Sequence, residues 1–351
     1  MNNYMYESGF VHPRFRLNGI FLDKESLLRV AYDFIKEGAD FERATGAFLL
    51  DWFDDKPYVQ MKTSGTTGTP KTMKLLKRHM VNSALATADF FEAGTNARAL
   101  HCLSSQFVAG KMMLVRAIIV GWDIYLAAPS SVLLEKDERQ YDFAALVPLQ
   151  AEYSFERLSQ IKKIILGGGK VSPALAARLQ QLPIDIWETY AMTETVTHIA
   201  AKRVGDPAFT TLPDVSIGTD ARGCLAIDAP KVTDGIVVTN DLVDIINDTH
   251  FVWLGRFDNV INSGGIKLYP EQIEEKLSHN IQPRYFVYGL PDDTLGERLV
   301  LVIEGESFTL GEVVFEGLDK YEKPKEVLFV TEFIETGSGK IQRAETLKTI
   351  G

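Results

Sequence analysis

Apolar residues early in the chain recur at helical spacing. Leu27, Leu28, Ala31 and Phe34 form one set and Phe41, Ala44, Phe48 and Leu49 another, which predicts two helices between residues 21 and 53, split near Gly38. Residues 57–61 read as a strand running into a loop. After that loop, residues 72–76 alternate apolar with polar, and 79–91 return to a helical period. Strand-like runs at 99–103, 124–127, 163–166 and 185–187 then alternate with helical stretches such as 173–181. This alternation predicts an α/β fold with a partly parallel sheet. From 218 to 254, short strands punctuated by Gly, Asp and Asn predict a β-rich subdomain. Beyond it, a helix at 270–277 and strands at 284–290, 299–304 and 327–330 predict a small α+β domain. The expected division is 1–257 and 258–351, with no internal repeat.

A chain of 351 residues exceeds the usual single core, in keeping with two domains. Its formal charge of -10 argues against nucleic acid as a partner, because a whole-surface grip on polyanions needs a basic face. Any phosphate site must therefore be local. Cys102 and Cys224 are too few and too far apart for a disulfide framework or zinc cluster and read as reduced core residues. The first ten residues lack a basic stretch followed by an apolar one. The longest apolar run, 112–122, is interrupted by Arg116 and falls short of the ~20 residues that span a bilayer. The expectation is a cytoplasmic protein without membrane insertion.

Local phosphate chemistry is concentrated at 63–71. Thr63, Ser64, Thr66, Thr67 and Thr69 are interleaved with Gly65 and Gly68, and the run ends in Lys71. Glycines permit close backbone approach, amides and hydroxyls donate to phosphate oxygens, and lysine adds a point charge. The same composition also suits a flexible surface turn. A Walker loop is disfavoured because Pro70 stands in place of the second glycine and a strand pattern, not a helix, follows.

The run Thr-Ser-Gly-Thr-Thr-Gly-Thr-Pro-Lys closely resembles the signature loop of the adenylate-forming superfamily of acyl-CoA ligases, luciferases and peptide-synthetase adenylation domains. Further motifs follow in the family's order. Tyr190-Ala191-Met192-Thr193-Glu194-Thr195 resembles its aromatic-Gly-x-Thr-Glu motif, with alanine for glycine. The resemblance implies adenine stacking by Tyr190, an α-phosphate contact from Thr193 and Mg²⁺ on Glu194. Gly167-Gly168-Gly169-Lys170 resembles the glycine segment that runs against the base. Thr239-Asn240-Asp241 and Gly255-Arg256-Phe257-Asp258 resemble the Thr-Gly-Asp and Gly-Arg-x-Asp motifs. They imply ribose binding by Asp241, a nucleotide contact from Arg256 and a hinge at Asp258. Asn240 in place of glycine is tolerable because asparagine also enters left-handed conformations. Ser263-Gly264-Gly265 resembles the strand that faces CoA, and Gly339-Lys340-Ile341-Gln342-Arg343 the C-terminal catalytic-lysine motif. Each motif alone also fits a capped turn or surface loop; together they span most of the chain.

The resemblance implies a large adenylation domain with mixed sheets, a condensed first subdomain and a mobile C-terminal lid. ATP, Mg²⁺ and CoA are the expected cofactor and co-substrates. A carboxylate would attack the α-phosphate, and CoA would then displace AMP, with the lid rotating about Asp258 between the two steps. Lys340, Glu194, Thr193 and Lys71 are the expected catalytic group. Only 62 residues precede the signature loop, a compactness that resembles the bacterial o-succinylbenzoate:CoA ligases of menaquinone synthesis. Candidates for holding the acid are Gln106, Lys111, Arg116 and His198; Phe107 stands where relatives carry histidine. Arg116 equally suits a structural ion pair, and His198 suits packing. Another aryl or fatty acid, a carrier-protein acceptor or an inactive nucleotide-binding homologue are the alternatives, and a homodimer is compatible with all of them.

Overall fold

The computed structural model describes residues 9–62, 72–335 and 341–350. After two short strands, Arg16–Leu17 and Ile20–Phe21, come two packed helices, α1 (Lys24–Glu37) and α2 (Asp40–Phe53). Asp23 caps α1 by accepting from the Ser26 amide at 2.9 Å. The apolar sets in the sequence become the buried faces, with Leu27 and Ala31 on α1 and Phe48, Leu49, Trp52 and Phe53 on α2. A hairpin of Tyr58–Lys62 with Thr72–Leu76 follows. It leads into α3 (Lys77–Phe90), and α4 (Val108–Val120) lies further on, buried from Gly110 through Ile119.

One thirteen-stranded sheet organises most of the remaining chain. Its parallel half runs Arg16–Leu17, Asp123–Leu126, Arg98–His101, Tyr141–Leu146, Ile161–Leu166 and Asp185–Ala191 in spatial order, with Ile20–Phe21 pairing antiparallel to Arg16–Leu17 at the edge. Short helices α5 (Pro148–Tyr153) and α6 (Pro173–Leu179) sit on the crossovers. The other half is antiparallel: His198–Arg203, Ala208–Thr211, His250–Arg256, Val237–Asn247, Cys224–Asp228 and Ser216–Thr219. Cys224–Asp228, Val237–Asn247 and His250–Arg256 are the β-rich elements expected between 218 and 254, and they continue the same sheet; the strands at 198–203, 208–211 and 216–219 begin before that stretch. Burial on both faces explains why the central parallel strands read as near-continuous apolar runs.

A five-stranded sheet is built from Ile261–Ser263, Ile266–Leu268, Tyr285–Asp292, Gly296–Glu304 and Glu326–Val330, with α7 (Pro270–Leu277) and α8 (Arg343–Leu347) beside it. It has its own core around Ile273, Leu277, Leu299 and Leu301. Cys102 and Cys224 are both free and buried. Among the described residues, no helix is long and apolar enough to cross a membrane.

Candidate functional site

Two of the parallel strands end side by side, at Leu166 and Ala191, and the polar residues flagged by the sequence gather there. Open α/β sheets bind ligands at such carboxyl ends. Gly167 leaves the strand donating to the Leu146 carbonyl at 3.1 Å, and Gly168 turns the chain with φ of +79°. Gly168 and Gly169 are both exposed. Lys170 then reaches α7, donating at 2.9 Å to Glu275 and at 3.3 Å to the Glu271 carbonyl. The glycine segment is thus tied to the small C-terminal sheet unit.

Tyr190 lies near the end of its strand, its ring set edge-on against Phe251 and Phe209. Its hydroxyl donates to Asp241 Oδ2 at 2.6 Å, and burial, then the Asp241 charge, pushes its ionisation up. Asp241 and Arg256 are directly paired across two antiparallel strands. That hairpin register is why a separation of 15 positions brings the carboxylate to 3.5 Å from the guanidinium. Asp241 is buried, and its two carboxylate oxygens accept from Tyr190 and Arg256.

Thr193, Glu194 and Thr195 form a single 3-10 turn, with Glu194 exposed. Val196 follows at φ +67° and ψ -58°, and the Thr197 amide bonds the Thr195 carbonyl at 2.7 Å. This is a γ-turn of the rare, strained hand, and it is occupied by a β-branched residue. Strain of this kind costs about 1–3 kcal/mol and collects at functional sites. The turn separates exposed Glu194 from buried His198. Glu194 also borders a cavity of about 280 Å³ shared with Met73, Lys74 and His79. Among the described residues no cluster of three metal-ligating side chains exists. A lone exposed carboxylate at a cavity mouth fits Mg²⁺, which takes one or two carboxylates alongside substrate phosphates.

Asn240 corrects one expectation: it is not among the residues with positive φ, so glycine's freedom is not needed there. Its amide instead donates to Asp258, while Arg222 donates to its carbonyl oxygen at 3.1 Å. Gly264 and Gly265, at φ +58° and +82°, form the two-residue turn of the Ile261–Ser263/Ile266–Leu268 hairpin. A turn positive in φ at both positions explains the Gly-Gly pair in purely local terms.

The four acid-substrate candidates do not converge. Gln106 is exposed at the approach to α4. Gly110 must be glycine because a Cβ would stand 2.3 Å from the Ser104 carbonyl oxygen, so α4 packs hard against its own leader. Lys111 then points its ammonium over the Phe48 ring at 5.6 Å; burial lowers its pKa and Asp51 partly opposes this. Arg116 lies five residues on, roughly 140° around the helix. It is 1% exposed, and among the described residues its Nε and Nη2 have no hydrogen-bond partner. Among those residues its one hydrogen bond is Nη1 to Met113 Sδ at 3.7 Å, and no ion pair to it occurs. Burial pulls its pKa down to about 9, leaving it charged at neutral pH. His198 is buried as well, its pKa lowered well below the usual value by burial and then by the Arg116 charge. These two candidates are therefore neighbours, while Gln106 and Lys111 lie apart from them.

Thr63, Ser64, Gly65, Thr66, Thr67, Gly68 and Lys71 lie outside the described residues, as does Lys340. Thr87 and the Asn240 side chain were not singled out by sequence. Thr87 carried a weak signal, a hydroxyl four positions from Ser83 on an otherwise buried helix face.

An open parallel sheet with polar strand ends, extended by antiparallel strands and followed by a separate small sheet, defines the class as a ligand-binding α/β fold. Comparison with known proteins makes this specific. The family model for AMP-binding enzymes matches residues 49–226. A 2-succinylbenzoate--CoA ligase from Bacillus cytotoxicus is 28% identical over 328 residues, covering 81% of this chain and 68% of its own. The solved structure of an acyl-CoA synthetase (AMP-forming)/AMP-acid ligase II-like protein from Dyadobacter fermentans is 34% identical with a TM-score of 0.60, covering 89% of this chain and 95% of that one. An O-succinylbenzoate coenzyme A synthetase from Bacillus subtilis, solved with ATP and magnesium ion, shares the fold at TM-score 0.73 and 22% identity, covering 82% of this chain and 69% of that one. The chain belongs to the AMP-binding enzyme family.

Proposed function

We propose that this AMP-forming acid:CoA ligase activates an acid carrying a second carboxylate, o-succinylbenzoate, making o-succinylbenzoyl-CoA. The observation that carries the choice of acid is Arg116. A fully buried guanidinium that has, among the described residues, two unpartnered nitrogens and no ion pair carries an uncompensated charge, which costs about 3–5 kcal/mol where a buried pair is broken. An anionic group brought by the substrate would offset that cost. The relatives named for this reaction support the reading.

In the first half-reaction the substrate carboxylate oxygen bonds to the ATP α-phosphorus and pyrophosphate leaves. In the second, the CoA thiol loses its proton and attacks the acyl carbonyl, and AMP departs with its bonding pair. A carboxylate needs no general base, so alignment and charge neutralisation do the work. Tyr190, Gly168 and Gly169 wall the nucleotide, Asp241 accepts from the ribose hydroxyls, and Arg256 steadies Asp241. Glu194 would hold Mg²⁺, which supplies charge neutralisation at the phosphates, and Thr193 contacts the α-phosphate. The 63–71 loop with Lys71 grips the leaving pyrophosphate, and Lys340 bridges carboxylate and α-phosphate. The small unit from Asp258 onward turns between the half-reactions, bringing Gly264 and Gly265 to CoA.

The test is a comparison of kcat/KM for o-succinylbenzoate with that for aromatic acids lacking the second carboxylate. A preference on the order of 30-fold or more is expected, since losing one partner of a buried charge pair costs about 2–5 kcal/mol. Equal turnover of both removes the choice of acid. Lys340→Ala should slow adenylation far more than thioester formation from preformed acyl-adenylate.

A further inference from the structure

Arg343 stands in the lysine motif but has no part in the chemistry described so far. The chain on either side of that motif is pinned. Glu335 and Ile341 pair as an antiparallel bridge, closing off residues 336–340, which lie outside the described residues. The Gln342 amide donates to the Ile334 carbonyl at 2.8 Å, and its side-chain amide donates to the Glu335 carbonyl at 3.0 Å. The Ile334 amide donates to Thr346 Oγ1 of α8 at 3.1 Å, and Arg284 pairs with the Glu335 carboxylate.

Arg343 opens α8 and places its guanidinium at the open edge of Tyr285–Asp292. That strand pairs with Gly296–Glu304 on one side and ends the sheet on the other. An edge strand leaves outward backbone groups in need of partners. At Val287 both are met by side chains: the amide donates to Glu274 Oε1 at 2.8 Å, and the carbonyl accepts from Arg343 Nη1 at 3.2 Å. Arg343 Nη2 donates to Glu274 Oε2 at 3.0 Å, which closes a ring of three charge-assisted hydrogen bonds through backbone, carboxylate and guanidinium. Both side chains are 19% exposed, and the guanidinium lies 5.8 Å from the Phe286 ring centroid. Burial pushes the Glu274 carboxyl up, and the Arg343 charge is the chief opposing influence. The same Nη2 lies 3.9 Å from Glu271 Oε1, which accepts from Asn259 beside the proposed hinge residue Asp258.

We propose that Arg343 is a positioning residue for adenylation, holding with Glu274 the root of the loop that brings Lys340 to the carboxylate and the α-phosphate. This rests on Lys340 acting as proposed above. Lys340 precedes the Ile341 bridge by one position and Arg343 by three, so the Arg343–Glu274 pair is the buried ion pair nearest to it in the chain. A lysine side chain is flexible, and a root free to shift would add to that freedom. Where catalysis is alignment and charge neutralisation, such a shift costs rate. Arginine suits the clamp because its planar fork meets a carboxylate and a carbonyl at once, which a lysine ammonium holds less rigidly. Through Glu271 and Asn259 the clamp also reaches the hinge, so the loop root and α7 turn with the small unit as one body.

The test compares single-turnover rates of the two half-reactions: pyrophosphate release from MgATP with o-succinylbenzoate, and thioester formation from the preformed acyl-adenylate with CoA. Arg343→Met should slow the first by roughly ten- to hundredfold, the loss that a misplacement of about 1 Å brings, and the second by less than about threefold. Arg343→Lys, which keeps the charge without the fork, should fall between native and Arg343→Met. Glu274→Gln keeps an acceptor for the Val287 amide and weakens the hold on the guanidinium. It should show the same split at smaller size, and it decides the matter where Arg343→Met folds poorly. Placed on Lys340→Ala, Arg343→Met should slow adenylation by less than about threefold more, because residues that act as a unit are not additive. Equal slowing of both half-reactions, unchanged adenylation in Glu274→Gln, or a full additional loss on top of Lys340→Ala overturns the positioning role and leaves the clamp purely structural. If Lys340→Ala itself leaves adenylation at the native rate, the parent reading of Lys340 has failed, and Arg343 with it.

Discussion

Arg116→Met should move stability and substrate binding in opposite directions. In the native protein the guanidinium sits at 1% exposure with Nε and Nη2 unpartnered, held in a helix otherwise packed with Met112, Met113, Leu114, Val115 and Ile118. Methionine fills most of the same volume in an apolar site and demands no counterion. Replacing a buried charged group with a well-packed apolar one stabilises by about 1–4 kcal/mol where the geometry permits. For a chain of 351 residues that is a rise in Tm of roughly 1–5 °C in the absence of substrate. The acid should suffer the reverse. Losing a desolvated charge partner costs about 2–5 kcal/mol, on the order of 30-fold to several-thousand-fold in KM for o-succinylbenzoate. KM for ATP should be unaffected, and aromatic acids with a single carboxylate should be used as well as before or better. Differential scanning fluorimetry without ligand and initial rates of pyrophosphate release measure the two halves. A variant that is less stable and binds acid normally would refute the reasoning, because the guanidinium would then be a structural element.

The other predictions concern the proposed nucleotide site and the proposed hinge. Tyr190→Phe deletes the hydroxyl that donates to Asp241 at 2.6 Å and should raise KM for ATP roughly fivefold, measured by initial rates at saturating acid. Asp241→Asn removes the charged acceptor itself and should raise it roughly 10- to 150-fold; a larger effect from Tyr190→Phe than from Asp241→Asn would reverse the assigned order of importance. Asn240→Gly frees Asp258 from its amide and should shift the balance between lid positions by roughly 2- to 12-fold, seen in single-turnover assays as an altered ratio of thioester formation to adenylation. An unchanged ratio would detach Asn240 from the hinge.

Much of the fold was legible because its elements obey simple periods. The split of α1 from α2 near Gly38 follows the apolar spacing, and the central parallel strands read as apolar runs because both faces are covered. The strand Val237–Asn247 was harder. Asn240 and Asp241 interrupt its alternation, and the register shifts between Leu242 and Val243, so the pattern suggested a shorter element ending before Asp241. The joining of parallel and antiparallel halves into one sheet could not be read locally, since pairing order depends on partners far away in sequence. At the candidate site, motif order singled out Tyr190, Asp241 and Arg256, which the structure brings together. What sequence could not supply was relation: the Tyr190 hydroxyl on Asp241, the lack of an ion pair to Arg116 among the described residues, or the strained turn at Val196, a conformation that valine's own preferences oppose.

The central claim is that an acid is adenylated and then passed to CoA. Pyrophosphate and AMP should therefore be followed from ATP and Mg²⁺ with o-succinylbenzoate, with and without CoA. The account predicts acid-dependent pyrophosphate release, near-stoichiometric with enzyme until CoA is added, and then turnover with equal amounts of AMP and thioester. Release of ADP, or no acid-dependent pyrophosphate with o-succinylbenzoate or any other carboxylic acid, would contradict it.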